Sequence, residues 1–446
     1  MRQNPSNAAY LIPRSVSRLQ ALTLAGLVVA AVYTADVRAQ ESDPVFHFSG
    51  FGTLGIAHSS EDNADFLAHD LQKKGAGAHE SWSMEVDSKI GLQFSADLTS
   101  KFSAVLQVVS EQQYDGTFRP QIEWANLKYD ITSDLSVRVG RVVLGSFLTS
   151  DYRKVGYSTP WVRPPVEVYG LIPLSHSDGI DLSYHAIFGE VNSTLHAAFG
   201  KASARHPAGG KVESEGGAWH FSNTVEYGPA TMRLAYTHSH LTAEPYEELF
   251  DGYRTFADQL ATAPFGLGNS AAAQANAIAH KYNTEDKRFT FFSIGAMYDP
   301  GKWFVMAEWG QTDSDSLLGK RQAWYATGGY RLGAFTPYVT YAEAKLKSNQ
   351  SDPGVDVPPI LGPVAVGTGA FLDSQLNSIE GLAGAPIQKT ISFGLRWDVT
   401  KNTALKVQYD YSRVDDGSPG TLNYIQPGFK TGDDFEVFSA TFDFVF

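Results

Sequence analysis

The chain has 446 residues and a formal net charge of −13, with 21 Tyr, 27 Phe and 8 Trp but no Cys. The absence of Cys excludes disulfides, Cys-ligated zinc sites and thiol catalysis. The acidic balance argues against a nucleic-acid partner, because such proteins need a basic face.

The first 39 residues have the pattern of a secretory signal. Arginines precede an apolar segment, residues 21–33, that is too short to span a bilayer as a helix. Val37 and Ala39 stand at the small-residue positions of a cleavage site, so a mature domain of residues 40–446 would begin at Gln40. Loss of the signal, which carries a net +3, leaves that domain near −16. An exported chain without helical spans is periplasmic, extracellular or an outer-membrane barrel.

Apolar and polar side chains alternate in segment after segment of the mature chain. Because successive residues of a strand point to opposite faces, such a segment has one apolar and one polar face. Repetition of both faces in segments of about 9–11 residues is typical of transmembrane strands rather than of a soluble sandwich. In the last segment, the apolar face carries Phe438, Ala440, Phe442, Phe444 and Phe446, and the polar face carries Ser439, Thr441 and Asp443.

The alternation predicts sixteen strands in one closed antiparallel β-barrel. An even number suits a bacterial barrel whose two ends lie in the periplasm. We also expect almost no helix. The predicted strands are residues 47–58, 82–95, 101–111, 119–129, 135–144, 178–188, 190–200, 217–228, 231–241, 288–299, 301–312, 321–333, 335–347, 388–399, 402–412 and 434–446.

The gaps between these segments alternate between short and long. Residues 97–100, 229–230 and 400–401 are examples of the short gaps, whereas residues 145–177 and 242–287 are long ones. Short periplasmic turns with longer outer loops are characteristic of outer-membrane barrels. The alternation therefore orients the barrel in the membrane.

Four stretches resemble the trimeric sixteen-stranded porins of Gram-negative bacteria. They are residues 48–55 (FSGFGTLG), residues 87–107 (DSKIGLQFSADLTSKFSAVLQ), residues 123–130 (EWANLKYD) with 135–141 (LSVRVGR), and the terminal Phe446. The resemblance is strongest over residues 46–145 and in the last strand. It implies an outer-membrane location, contact with lipopolysaccharide and membrane lipid, and a homotrimer.

The resemblance also implies that the loop after the fifth strand, residues 145–177, folds into the barrel and narrows it. The acidic cluster usual in that loop is missing, which weakens any inherited cation preference. A regular strand points Arg138 inward and Arg141 outward, and a bulge near Gly140 would bring both inward. The predicted constriction comprises Arg138, Arg141, Asp151, Arg153, Lys154, Arg163 and Glu167. Further lumen candidates are Arg233, Arg331, Arg396, His185, His196, Asp181, Glu226, Glu308, Asp398 and Asp410.

These features predict passive diffusion of small hydrophilic solutes, with a weak preference for anions. We expect no catalysis and no cofactor, because the sequence contains neither a nucleophile elbow nor a phosphate-binding loop. We also expect no metal, because His238 and His240 on one strand face supply only two of the three or four ligands that zinc needs. One alternative is a channel selective for one solute class, whose lumen binds that solute through an ordered row of charges or aromatic rings. A more remote alternative is an outer-membrane hydrolase.

Overall fold

The computed structural model describes residues 45–347, 352–383 and 386–446, so the predicted signal, residues 1–39, lies outside the described residues. Sixteen antiparallel strands form one sheet together with two short segments, Trp82–Ser83 and Ser203–Arg205. The sixteen strands are β1 (Val45–Ser59), β2 (Lys89–Asp97), β3 (Phe102–Glu111), β4 (Gln121–Asp130), β5 (Leu135–Val143), β6 (His176–Phe188), β7 (Val191–Lys201), β8 (Lys211–Tyr227), β9 (Ala230–Ala243), β10 (Lys287–Tyr298), β11 (Trp303–Ser314), β12 (Lys320–Tyr330), β13 (Phe335–Leu346), β14 (Gln388–Thr400), β15 (Thr403–Val414) and β16 (Phe435–Val445).

The sheet closes on itself through β1. This strand pairs with β2 along its first part, from Val45 opposite Asp97. Its second part pairs with β16, from Phe51 opposite Val445 to Ser59 opposite Val437. The prediction of a closed antiparallel barrel of sixteen strands is therefore confirmed.

The two faces of each strand have the predicted chemistry. On β16, Phe438 is 41% exposed, whereas Ser439 and Asp443 are completely buried inside the barrel. A charge on the lipid-facing surface near the bilayer centre costs about 2–4 kcal/mol, which explains why the outward positions are apolar.

Strand β2 begins seven residues later than the sequence predicts. Residues 82–95 alternate as a strand does, but the continuous ladder starts at Lys89. The backbone N–H of Gly55 donates to the hydroxyl of Ser88 instead of to a strand carbonyl. Asp87 turns inward and binds a side chain in the lumen. The polar side chains of this segment thus take over bonds that a regular ladder would supply.

The expectation of almost no helix is wrong, because three of the long loops contain helices. The helices are α1 (Val166–Tyr169), α2 (Glu247–Ala261), α3 (Asn269–Tyr282) and α4 (Gly362–Ala383). Helices α2, α3 and α4 pack around one cluster that includes Phe250, Tyr253 and Leu376, all of them buried. Within the described ranges, every helix falls short of the length and apolar character needed to cross a membrane.

Candidate functional site

The segment between β5 and β6, residues 144–175, enters the barrel, and we call it the inner loop. Trp161 near its middle is 1% exposed. The indole N–H of Trp161 donates to the hydroxyls of Thr327 on β12 and Thr340 on β13, both at 3.1 Å. A side chain of the loop thus reaches the far wall of the lumen, as the sequence predicts for residues 145–177.

A buried lysine holds the turn of the inner loop. The ammonium of Lys406 on β15 donates to the carbonyls of Gly156 at 2.6 Å and Trp161 at 2.8 Å, and it pairs with Asp443 on β16 at 3.0 Å. A Cβ at Gly156 would lie 2.3 Å from a carboxylate oxygen of Asp443 and 2.5 Å from the hydroxyl oxygen of Thr53. Only glycine therefore lets the turn approach the wall this closely.

Arg163 is a second anchor between the inner loop and the wall. Its guanidinium donates two hydrogen bonds to Asp87, at 2.8 and 2.5 Å, and lies 3.5 Å from Asp410 on β15. A further bond of 2.6 Å goes to Ser439 on β16, and the ring of Phe66 covers the guanidinium at 4.8 Å. The side chain is 5% exposed, so Arg163 fixes the loop and does not face open water.

Two glutamates complete the anchoring of the inner loop. Glu167 accepts hydrogen bonds from Gln388 and Thr390 on β14, and burial raises the pKa of its carboxyl while these bonds oppose the rise. Glu308 on β11 accepts the backbone N–H of Leu148 at 2.7 Å. Glu167, like Arg163, is thus a buried structural contact.

These anchors place the inner loop against the wall formed by β10–β16 and β1. Strands β2–β8 keep a charged face toward the lumen, and two ion pairs connect the loop to that face and to β9 beside it. Lys154 pairs with Glu111 on β3, and Asp151 pairs with Arg233 on β9. Asp151 is the more open of these groups, with 49% of its side chain exposed.

Paired charges line the face of β2–β8, which we call the open wall. Arg138 on β5 pairs with Asp181 on β6, and His196 on β7 lies 3.3 Å from the same carboxylate. Further charged groups of both signs lie on the open wall. They include Lys89, which stands directly opposite Glu111 in the β2–β3 ladder, and Glu123, which lies 3.6 Å from His176.

Arg141 lies on the outer face of the barrel. It stands opposite Asp178 in the β5–β6 ladder and binds that carboxylate with two hydrogen bonds of 2.7 Å. Val139 on the same face is 53% exposed, whereas Val142 next to Arg141 is 1% exposed inside the barrel. The β5–β6 pairing passes Gly140 in regular register, so the bulge that would turn Arg141 inward does not form. Arg141 therefore does not join the pore-lining residues.

The remaining predicted residues divide between the lumen and the interior of the loop. Arg138, Asp151 and Lys154 face the lumen, whereas Arg153 donates to the carbonyls of Ile172 and Pro173 within the inner loop. The sequence-based selection did not include the anchors and wall charges Asp87, Lys89, Glu111, Glu123, Lys406 and Asp443. Strand parity could have identified these side chains as pointing into the barrel, because each occurs on the polar face of a predicted strand or next to one.

A family model described as Gram-negative porin matches residues 21–349 and 261–417. No curated protein sequence matches the chain.

Three solved structures illustrate the similarity of the fold. The anion-selective porin from Comamonas acidovorans is 14% identical over 91% of this chain and 100% of its own, with a TM-score of 0.51. The outer membrane channel DcaP of Acinetobacter baumannii is 12% identical over 92% and 100%, with a TM-score of 0.51. The in-vitro folded trimer form of OmpT from Vibrio cholerae is 9% identical over 91% and 100%, also with a TM-score of 0.51.

Proposed function

Because the chain belongs to the Gram-negative porin family and forms a diffusion channel in the outer membrane, we propose that solutes pass between its inner loop and the open wall. Small hydrophilic solutes cross this gap passively, without a cofactor, a nucleotide or proton coupling. A barrel of about sixteen strands is wide enough for an aqueous channel.

The one-sided anchoring of the inner loop carries this proposal. Lys406, Arg163 and Glu167 all tie the loop to β14–β16 or to the chain beside them. The ion pairs of Lys154 and Asp151 then mark the two edges of the remaining passage. Solutes between these edges meet the charged side chains of the open wall.

The same passage has a weak preference for anions. Charges within about a Debye length, roughly 10 Å at moderate salt, decide which ion enters. The lining cations are Lys89, Arg138, Lys154 and Arg233, and the lining carboxylates are Glu111, Glu123, Asp151 and Asp181, so these eight charges cancel. The small positive excess comes from Arg153 inside the inner loop, whose guanidinium binds the backbone carbonyls of Ile172 and Pro173 rather than a carboxylate. The name of the Comamonas porin records anion selectivity for a protein of the same fold.

The assembly we propose is a homotrimer surrounded by phospholipid and lipopolysaccharide. The trimer form of OmpT is a precedent within this fold. We also propose that residues 1–39 are removed on export, and N-terminal sequencing of the membrane-extracted protein should then begin at Gln40.

Ion selectivity is measured by reconstituting the protein in a planar bilayer under a salt gradient. The reversal potential should lie on the anion side of zero and remain small. A cation-selective potential would show that the carboxylates of the passage dominate. Conductance that saturates with a single solute class would instead favour the substrate-selective channel.

A further inference from the structure

Three alanines form a row across the lipid-facing surface of β10, β11 and β12. Ala296 stands directly opposite Ala307, and Ala307 stands directly opposite Ala326. Bulky side chains border this row on both sides. The neighbouring outward rows contain Ile294, Trp309 and Trp324 toward the outer end, and Tyr298 and Val305 toward the periplasmic end.

The small side chains leave a concave groove in the outer wall, with a volume of about 590 Å³. Met232 and Tyr227 continue its border on β9 and β8, and Gly328 extends its floor on β12. Its lining residues are all uncharged, and the outward ones are mainly aliphatic or aromatic. The strands around the groove are hydrogen-bonded to a neighbour on each edge, so their backbone N–H and C=O groups are already paired and do not bind a ligand.

The groove lies in the periplasmic half of the barrel wall. Ala296 is two residues from the end of β10, and Ala307 is four residues from the start of β11. At about 3.3 Å per residue, these positions lie roughly 7–13 Å along the strands from the short turns. In the outer membrane, this depth corresponds to the hydrocarbon of the inner leaflet.

We infer that the groove is a binding site for one acyl chain of an inner-leaflet phospholipid. A charged headgroup finds no partner among the lining residues, so the hydrocarbon is the part that is recognised. A chain in the groove contacts a floor and two sides, whereas a chain on the convex wall contacts one surface. Additional close contacts of this kind strengthen dispersion and apolar burial.

Photocrosslinking of the reconstituted protein tests this inference. Vesicles contain phosphatidylethanolamine that carries a diazirine in one acyl chain, and crosslinked peptides are identified by mass spectrometry. We expect several-fold more crosslinking to the Ala307 and Ala326 peptides than to the Val407 peptide. Val407 is also outward-facing and four residues from the start of its strand, β15, so depth is matched.

Variants that fill the groove provide the decisive comparison. Ala307→Trp should reduce crosslinking of the groove peptides to the level of the Val407 peptide, and Ala326→Leu does the same if the first variant fails to fold. Val407→Trp is the control and should leave groove crosslinking unchanged. Equal crosslinking at the two walls of the unmodified protein would overturn the inference, as would groove crosslinking that persists in a folded filled variant or that joins the groove to a second copy of the chain.

Discussion

The ammonium of Lys406 lies 3.0 Å from a carboxylate oxygen of Asp443, and both side chains are completely buried. The pair joins β15 to β16, and the same ammonium holds the carbonyls of Gly156 and Trp161 in the inner loop. A charge pair within the wall therefore sets how closely the loop approaches that wall, and with it the width of the passage on the other side.

Replacing Lys406 by Met should change the single-channel conductance. The variant loses both bonds to the inner loop and leaves Asp443 buried without its partner, a change that costs about 3–5 kcal/mol in buried ion pairs. We expect the turn at Gly156 to leave the wall, so that conductance differs from wild type and its noise rises. Recordings in planar bilayers measure both quantities.

Lys128→Met is the matched control for this experiment. Lys128 also faces the lumen, but it pairs with Asp130 on its own strand and has 40% of its side chain exposed. Its replacement should leave the open-state noise as in wild type. A Lys406→Met channel with wild-type conductance and noise would show that the buried pair does not position the loop.

Arg138 and Arg141 should differ in their effect on ion selectivity. Arg138→Ala removes a cation from the open wall and exposes the charge of Asp181, so the reversal potential should shift toward cations. Arg141→Ala removes a cation from the outer face, where it pairs with Asp178, and the potential should stay unchanged. Equal shifts in the two variants would mean that both arginines line the passage.

The charges at the two edges of the passage should act in opposite directions. Asp151→Asn leaves Arg233 uncompensated and should shift the reversal potential toward anions. Lys154→Gln leaves Glu111 uncompensated and should shift it toward cations. A unit charge about 4 Å away is worth about 1 kcal/mol in water, so each change in permeability ratio should be at most about fivefold. Shifts of the same sign would contradict the proposed passage.

The helical unit in the outer loops should unfold without the barrel. Phe250 on α2 is completely buried among α3 and α4, and Phe→Ala substitutions in cores cost about 3–5 kcal/mol. Phe250→Ala should make residues 247–282 sensitive to limited proteolysis, while the heat-dependent gel mobility of the barrel is retained. Val364→Ala is the control, because Val364 is 82% exposed on α4. Loss of the folded barrel in Phe250→Ala would show that the two parts depend on each other.

Much of the fold follows from the sequence because a membrane barrel imposes a period of two on every strand. Outward positions such as Phe438 must be apolar, and inward positions such as Asp443 are free to be polar, so the pattern persists over all sixteen strands. The period of two does not reveal the helices, because they lie in the long gaps between the predicted strands. Phe250, Tyr253 and Leu260 recur at helical spacing, and this signal was present in the sequence.

The site was less predictable because its contacts join residues that are far apart in the chain. Sequence reasoning found the inner loop by its position and length, and strand parity assigned Arg138 to the lumen. It could not show that Arg163 is buried between Asp87 and Asp410, because those partners lie 76 and 247 positions away. The position of Arg163 in the inner loop predicts a charge at the constriction, whereas its contacts with Asp87 and Asp410 make it an anchor.

Accessibility of single cysteines tests the location of the passage most directly, since the natural chain has no Cys and does not react with thiol reagents. Asp151→Cys places a thiol at the exposed edge of the passage, and Thr390→Cys places one on β14 behind the inner loop, where Thr390 contacts Glu167. During single-channel recording, a charged methanethiosulfonate should lower the conductance of Asp151→Cys stepwise and leave Thr390→Cys unchanged. Block of Thr390→Cys with no effect on Asp151→Cys would place the passage behind the loop and contradict the account.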